Sequence, residues 1–182
     1  MTRKVLDKNK VLATGLAVNK DEFNLYSGDD FLRVDNLCRE LLLHFYEQLQ
    51  AEGLTPEEAT VLASDADYFV RNFVVDFKAF NLFDEFPGIV RQFAGNWFIA
   101  NTLEPDISHL GRLLRGVRSF YRFLHVHGLV SQGYLRMIEK ECDDLDYYES
   151  RIAAFWDIKG DGYSAWEREC SLKEGGEKQG SA

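Results

Sequence analysis

The chain has 182 residues, of which 46% are hydrophobic and 14% aromatic, and its formal net charge is −9. This composition excludes an intrinsically disordered chain and gives one domain enough length for a hydrophobic core. The negative charge argues against sequence-independent coating of nucleic acid, but leaves room for one local basic patch.

Residues 1–28, which include "YSGDD", lack clear periodicity and read as an extended arm. From there Phe31, Val34, Cys38, Leu41, Phe45 and Leu49 recur at three- and four-residue steps, the mark of one helical face. Asp30 is expected to cap this helix and Gly53 to end it. "LTPEEA" then announces a second helix, with Thr55 at the cap, Pro56 at the first helical position and Glu58 closing a capping box. Its buried side is expected to carry Leu62, Ala66, Phe69, Phe73 and Phe77, with Val70 and Val74 beside them. "NLFDEFPG" breaks the pattern, and a third helix with Ile89, Val90, Phe93, Trp97 and Phe98 starts near Pro87.

Pro105 or Asp106 opens a fourth helix, which Gly128 stops. At about 100° per residue, Leu113, Leu114, Val117, Phe120, Tyr121 and Leu124 share one side of it. A last long helix is expected over 132–157, with Leu135, Ile138, Cys142, Leu145, Ile152 and Phe155 inward. Each proline stands near a helix start, and strand alternation with hairpin turns is nearly absent. The predicted fold is therefore all-α, a compact bundle of four to five helices over 29–158. A turn and a disordered tail are expected over 159–182.

The order of these elements carries a resemblance. A helix ending "LQAEGLTPEEA" leads to an aromatic-rich helix, a Trp-containing helix and then "GVRSFYRFLHVHGLVS". Over about residues 30–155 this resembles the core-binding, SAM-like domain of tyrosine recombinases and phage integrases. Phe120, Phe123, Leu124 and Gly128 match that family's F..FL...G pattern. The resemblance implies a helical bundle that grips DNA. The recombinase catalytic domain has no counterpart expected here, because His109 and Arg112 form only an isolated His-x-x-Arg on a helix. An orphan domain without strand exchange is what the resemblance implies.

The fourth helix also carries Arg112, Arg115, Arg118 and Arg122 within an arc of about 120° opposite its apolar side. The segment from Ile107 to Ile138 holds five Lys or Arg, counting Arg136, and no acid; its +5 leaves −14 on the rest of a −9 chain. Such asymmetry is the footprint of a phosphate-binding face. The competing reading is internal pairing, because "EKECDDLDYYE" follows at residues 139–149 with six acids. Antiparallel packing would set Arg118 or Arg122 against Asp143, Asp144 or Asp146.

No metal site is expected. "DIKGDGYSAWER" puts Asp157, Asp161 and Gly162 at calcium-loop positions 1, 5 and 6, but Lys159 and Arg168 replace oxygen ligands at positions 3 and 12. His125 and His127 diverge by about 200° on a helix and cannot chelate together; they border the helix end, where a cation suits the dipole. The neighbouring carboxylates Asp29/Asp30, Glu57/Glu58 and Asp143/Asp144 share no helix face, so no catalytic residue and no cofactor is expected. The aromatic stripe of Phe69, Phe73 and Phe77 with Trp97 and Phe98 reads as core.

Cys38, Cys142 and Cys170 form no CxxC pair, "MTRKVLDKNK" precedes no apolar signal core, and no run reaches membrane-helix length. The sequence is read as a cytoplasmic, non-enzymatic module with no membrane partner. It is expected to bind DNA through Arg112, Arg115, Arg118 and Arg122, or alternatively to bind a protein partner or a second copy of itself.

Overall fold

The computed structural model describes residues 16–169; the first fifteen residues of the expected arm and the expected tail from Cys170 onward lie outside them. Every regular element among the described residues is helical, as predicted. Seven helices follow a short 3₁₀ turn at Lys20–Phe23. Helix α1 spans Asp30–Ala51, and α2 spans Pro56–Asp67 and runs on as a π-helix over Tyr68–Phe77. Helix α3 joins Ile89–Gln92, a π turn at Phe93–Trp97, and Phe98–Asn101. The others are α4 (Ile107–Val126), α5 (Gln132–Cys142), α6 (Leu145–Trp156) and α7 (Tyr163–Glu169).

In α1 the expected face is buried at Val34, Cys38, Leu41, Phe45 and Leu49. Asp30, however, does not cap it. Its carboxylate turns back to accept from the Tyr26 and Ser27 N–H groups and pairs with Arg33 at 2.7 Å, which holds its pKa well below the usual carboxylate range. The capping box of α2 forms as read, with Thr55 and Glu58 bonding reciprocally.

Beyond Asp67 the α-helical period fails. Lys78 N–H donates to the Phe73 carbonyl at 2.9 Å, five residues back. The wider turn delays the angular advance, so Phe73, Val74 and Val75 are buried. Phe77, predicted inward, is 60% exposed and stacks on Phe73 instead. The π turn of α3 lies against this segment, and Phe69, Phe73, Phe93 and Trp97 interlock with centroids 5.1–5.8 Å apart.

Helix α4 is central, packing on both α2 and α5. Leu110, Leu113, Leu114, Val117, Phe120, Tyr121 and Leu124 are all buried. Gly116 sets how closely α4 meets α2. A Cβ there would stand 2.5 Å from the Asp65 Cβ and 2.8 Å from the Leu62 carbonyl, so only glycine fits the crossing.

The long last helix of the prediction is two helices. Asp144 leaves helical geometry at φ −80°, ψ 47°, and its carboxylate reaches Arg91 at 2.6 Å. Tyr148 Oη donates to the Glu141 carbonyl at 2.7 Å, adding to the long 3.4 Å bond that this carbonyl accepts from the Asp144 N–H at the end of α5. Leu145 consequently faces outward, while Tyr148, Arg151 and Ile152 face in. The expected turn at 159–162 forms, but 163–169 is helical rather than tail. Trp166 of α7 is buried and donates to the Arg151 carbonyl at 3.0 Å. Arg151, also buried, donates to the Trp166 carbonyl at 2.7 Å and to the Gly95 carbonyl inside the α3 π turn at 3.0 Å.

Candidate functional site

The arginine stripe rests on a well-terminated helix. Asp106 accepts from the His109 N–H at 2.9 Å to begin α4, and Gly128, at φ +69°, follows its end. Regular α winding between them places all four arginines on the side away from the core. Their surroundings then divide them.

Arg112 and Arg115 are exposed and have no ion-pair partner among the described residues. Arg118 is partly buried and pairs through Nη2 with Asp143. Arg122 Nε meets Glu139 Oε1 at 2.6 Å. Both acids belong to the stretch 139–149, so the lower half of the stripe is paired internally. Asp144 and Asp146 do not take part, since Asp144 is drawn to Arg91.

Arg112, Arg115 and Arg118 line one groove between α4 and the α5–α6 junction, with Ser108 at one end and Leu145 and Asp143 opposite. Within it Arg118 Nε is buried and without a hydrogen-bond partner among the described residues. Asp65 of α2 lies on the far flank. Burial raises its pKa, and the charges of Arg112, His109 and Arg115 act against that rise. The groove therefore presents guanidinium donors in a field that nearby carboxylates weaken.

The remaining candidate groups are held apart. His109 sets its ring edge-on to Phe98 at 5.3 Å. His125 Nδ1 lies 3.1 Å from the Val130 carbonyl, and His127 Nε2 lies 2.7 Å from Gln48 Oε1. Against the cation expected at this helix end, burial and then the nearby His44 lower the His127 pKa. No group of three or more His, Cys, Asp or Glu side chains suited to a metal comes together among the described residues. Cys38 and Cys142 are free and buried, and burial pushes both thiols up to about 12. At neutral pH they are protonated and poor nucleophiles.

Two glutamates that sequence reasoning missed fix the starts of α3 and α5. Glu141 accepts from the Gly88, Val90 and Arg91 N–H groups at 2.9, 3.1 and 3.2 Å, serving as the cap of α3. Glu85 accepts from Ser131 N–H and Oγ at 2.6 and 2.7 Å, fixing the start of α5. A local signal did exist for the first: Gly88 precedes α3 with no side chain to cap it, so an acceptor from elsewhere was required.

No protein-family model, no curated protein and no solved structure matches this chain. The likeness to recombinase core-binding domains rests on the residues quoted above.

Proposed function

We propose that this chain is a non-enzymatic helical module, of the kind the recombinase resemblance implies, that contacts the DNA backbone through the open half of the arginine stripe. The observation that supports this reading is the placement of Arg112 and Arg115, one helical turn apart, exposed and without an ion-pair partner among the described residues, lining a groove that Arg118 also lines. Guanidinium groups so placed give bidentate donors to phosphate oxygens without breaking an internal pair. A cytoplasmic, reducing setting belongs to the same reading, and the two buried free thiols support it.

The number of phosphates engaged separates this reading from the full four-arginine interface. Two contacts give a log–log salt slope of about −1.8, and four give about −3.6, from ~0.9 per neutralised phosphate. Anisotropy titrations of a duplex oligonucleotide at several salt concentrations measure it. The expected slope is the shallow one, with binding lost in Arg112→Gln/Arg115→Gln and the fold retained, since glutamine removes the charges without setting new carboxylates beside Asp65. Absence of binding at low salt would overturn the proposal. The second reading, a protein-interaction module, would then stand on the internal pairing of Arg118 and Arg122 and on the acidic remainder of the surface.

A further inference from the structure

Arg118 belongs to the arginine groove by position but differs from its neighbours in state. It lines the groove with Arg112 and Arg115, yet Asp143, on the opposite wall, holds its Nη2. The pair is incomplete. A carboxylate that meets a guanidinium squarely accepts two parallel bonds, whereas Arg118 gives Asp143 one, to Oδ1, and its buried Nε has no partner among the described residues. Asp143 has no second ion-pair partner among those residues and its side chain is 68% exposed. It stands at the C-cap of α5, where the helix dipole disfavours an acid. The Arg122–Glu139 pair is different: the Glu139 side chain is 28% exposed, and neither residue lines the groove.

We infer that Asp143 is a built-in competitor of DNA phosphates, and that it keeps Arg118 from serving as the third phosphate contact of this groove. The inference rests on the reading above, that Arg112 and Arg115 take backbone phosphates. Arg112, Arg115 and Arg118 follow one another at three-residue intervals and span about 9 Å along α4. A strand that follows the groove past the first two reaches the third. There it meets a carboxylate. Burial of Nε leaves the Nη edge of Arg118 to meet a ligand, and that is the edge Asp143 occupies. Asp143 is fixed in the fold and reforms its pair without a search. A phosphate that displaced it would also set two anions against one cation, a repulsion that no nearby partner of Asp143 relieves. Arg122 lies outside the groove, so release of Asp143 raises the number of contacts from two to three and not to four.

Salt titrations of the full chain with a duplex oligonucleotide, followed by anisotropy, count the contacts. The parent should give a log–log slope of about −1.8 and Asp143→Asn about −2.7, one phosphate more at ~0.9 each. At about 0.1 M salt the same increment should tighten binding roughly eightfold. Asp143→Asn/Arg118→Gln should return to about −1.8, because the released guanidinium makes the new contact. Asp146→Asn removes an equal charge from an exposed position outside the groove and should keep the parent slope. If the parent binds with the shallow slope and Asp143→Asn matches it, the inference falls alone. It falls too if the steeper slope persists without Arg118 or appears in Asp146→Asn, since either reports net charge rather than a released arginine. A parent slope already near about −2.7 overturns it as well, because phosphate then displaces Asp143 unaided. A parent that does not bind at low salt removes the reading of Arg112 and Arg115, and this inference with it.

Discussion

Helix α4 and the C-terminal half of α2 contribute to one core, with Phe69 and Tyr121 in ring contact at 6.2 Å, but they are wound differently. In α4 the α-helical period holds from Ile107 to Val126, and the predicted apolar side is the buried side. In α2 it stops at Asp67, and the π winding that follows moves burial from Phe77 to Val75. The difference lies in what each helix meets. Helix α4 meets α2 through Gly116, where backbones approach closely and regular winding costs nothing. The end of α2 meets the π turn of α3 through large rings, and the wider turns let Phe69, Phe73, Phe93 and Trp97 interlock without overlap.

The largest expected effect tests that contrast within α2. Phe73, 1% exposed, should cost ~3–5 kcal/mol on truncation to alanine, from lost transfer energy and the cavity left behind. Phe77→Ala should cost less than about 1 kcal/mol, because most of its ring is in water. Urea unfolding of the two variants gives the comparison directly. Equal losses would mean that the α period continues to Phe77 and that the two regions do not differ.

What could be read beforehand follows the same line. The helical class, the Thr55–Glu58 capping box and the buried face of α4 depend on interactions within a few residues, and the sequence displays those directly. Phe77, the break at Asp144 and the exposure of Leu145 depend on partners about 20 or more residues away: Trp97 for Phe77, Arg91 for Asp144. Periodicity has no access to such partners. The candidate site divides likewise. Its four arginines were legible because one helix presents them, and the Arg118–Asp143 pair was among those expected from the acidic stretch that follows; the Arg122–Glu139 pair was not, because it depends on how the helix Gln132–Cys142 is set against α4.

A middle-sized effect sharpens the picture of α4 itself. If regular winding makes the four arginines equivalent in direction, only the neighbouring helix makes them unequal in energy. Arg118→Glu should destabilise by about 1 kcal/mol, since it replaces an attraction to Asp143 with a repulsion at a partly buried position. Arg115→Gln, which breaks no ion pair among the described residues and sets no carboxylate near Asp65, should stay within about 0.5 kcal/mol of the parent. Thermal melts in low salt and in high salt measure both, and the Arg118 difference should shrink as salt screens it. Identical melts for the two variants would show the stripe to be uniformly solvated.

The smallest expected effect concerns the end of α4, where the helix dipole and the packing disagree. A cation at His127 would suit the dipole of the last turn. Yet its ring packs against Phe123 at 4.8 Å, its Nε2 is engaged by Gln48, and burial together with His44 lowers its pKa. A folded pKa below the unfolded value means that the unfolded chain binds the proton first. Stability is then full above the ordinary histidine range near ~6.5 and declines as pH falls towards the folded value. Glu141, whose pKa burial raises despite three opposing backbone hydrogen bonds, works in the opposite sense as pH rises through and above the ordinary glutamate range. Because Glu141 titrates in parent and variant alike, it cancels from their difference. The melting-temperature drop between about pH 7.5 and 5.5 should therefore be smaller in His127→Gln than in the parent. His44→Gln should narrow the drop less, since it removes only the weaker of the two causes. Parallel pH profiles for parent and His127→Gln would mean that the dipole, not the packing, governs this end of the helix.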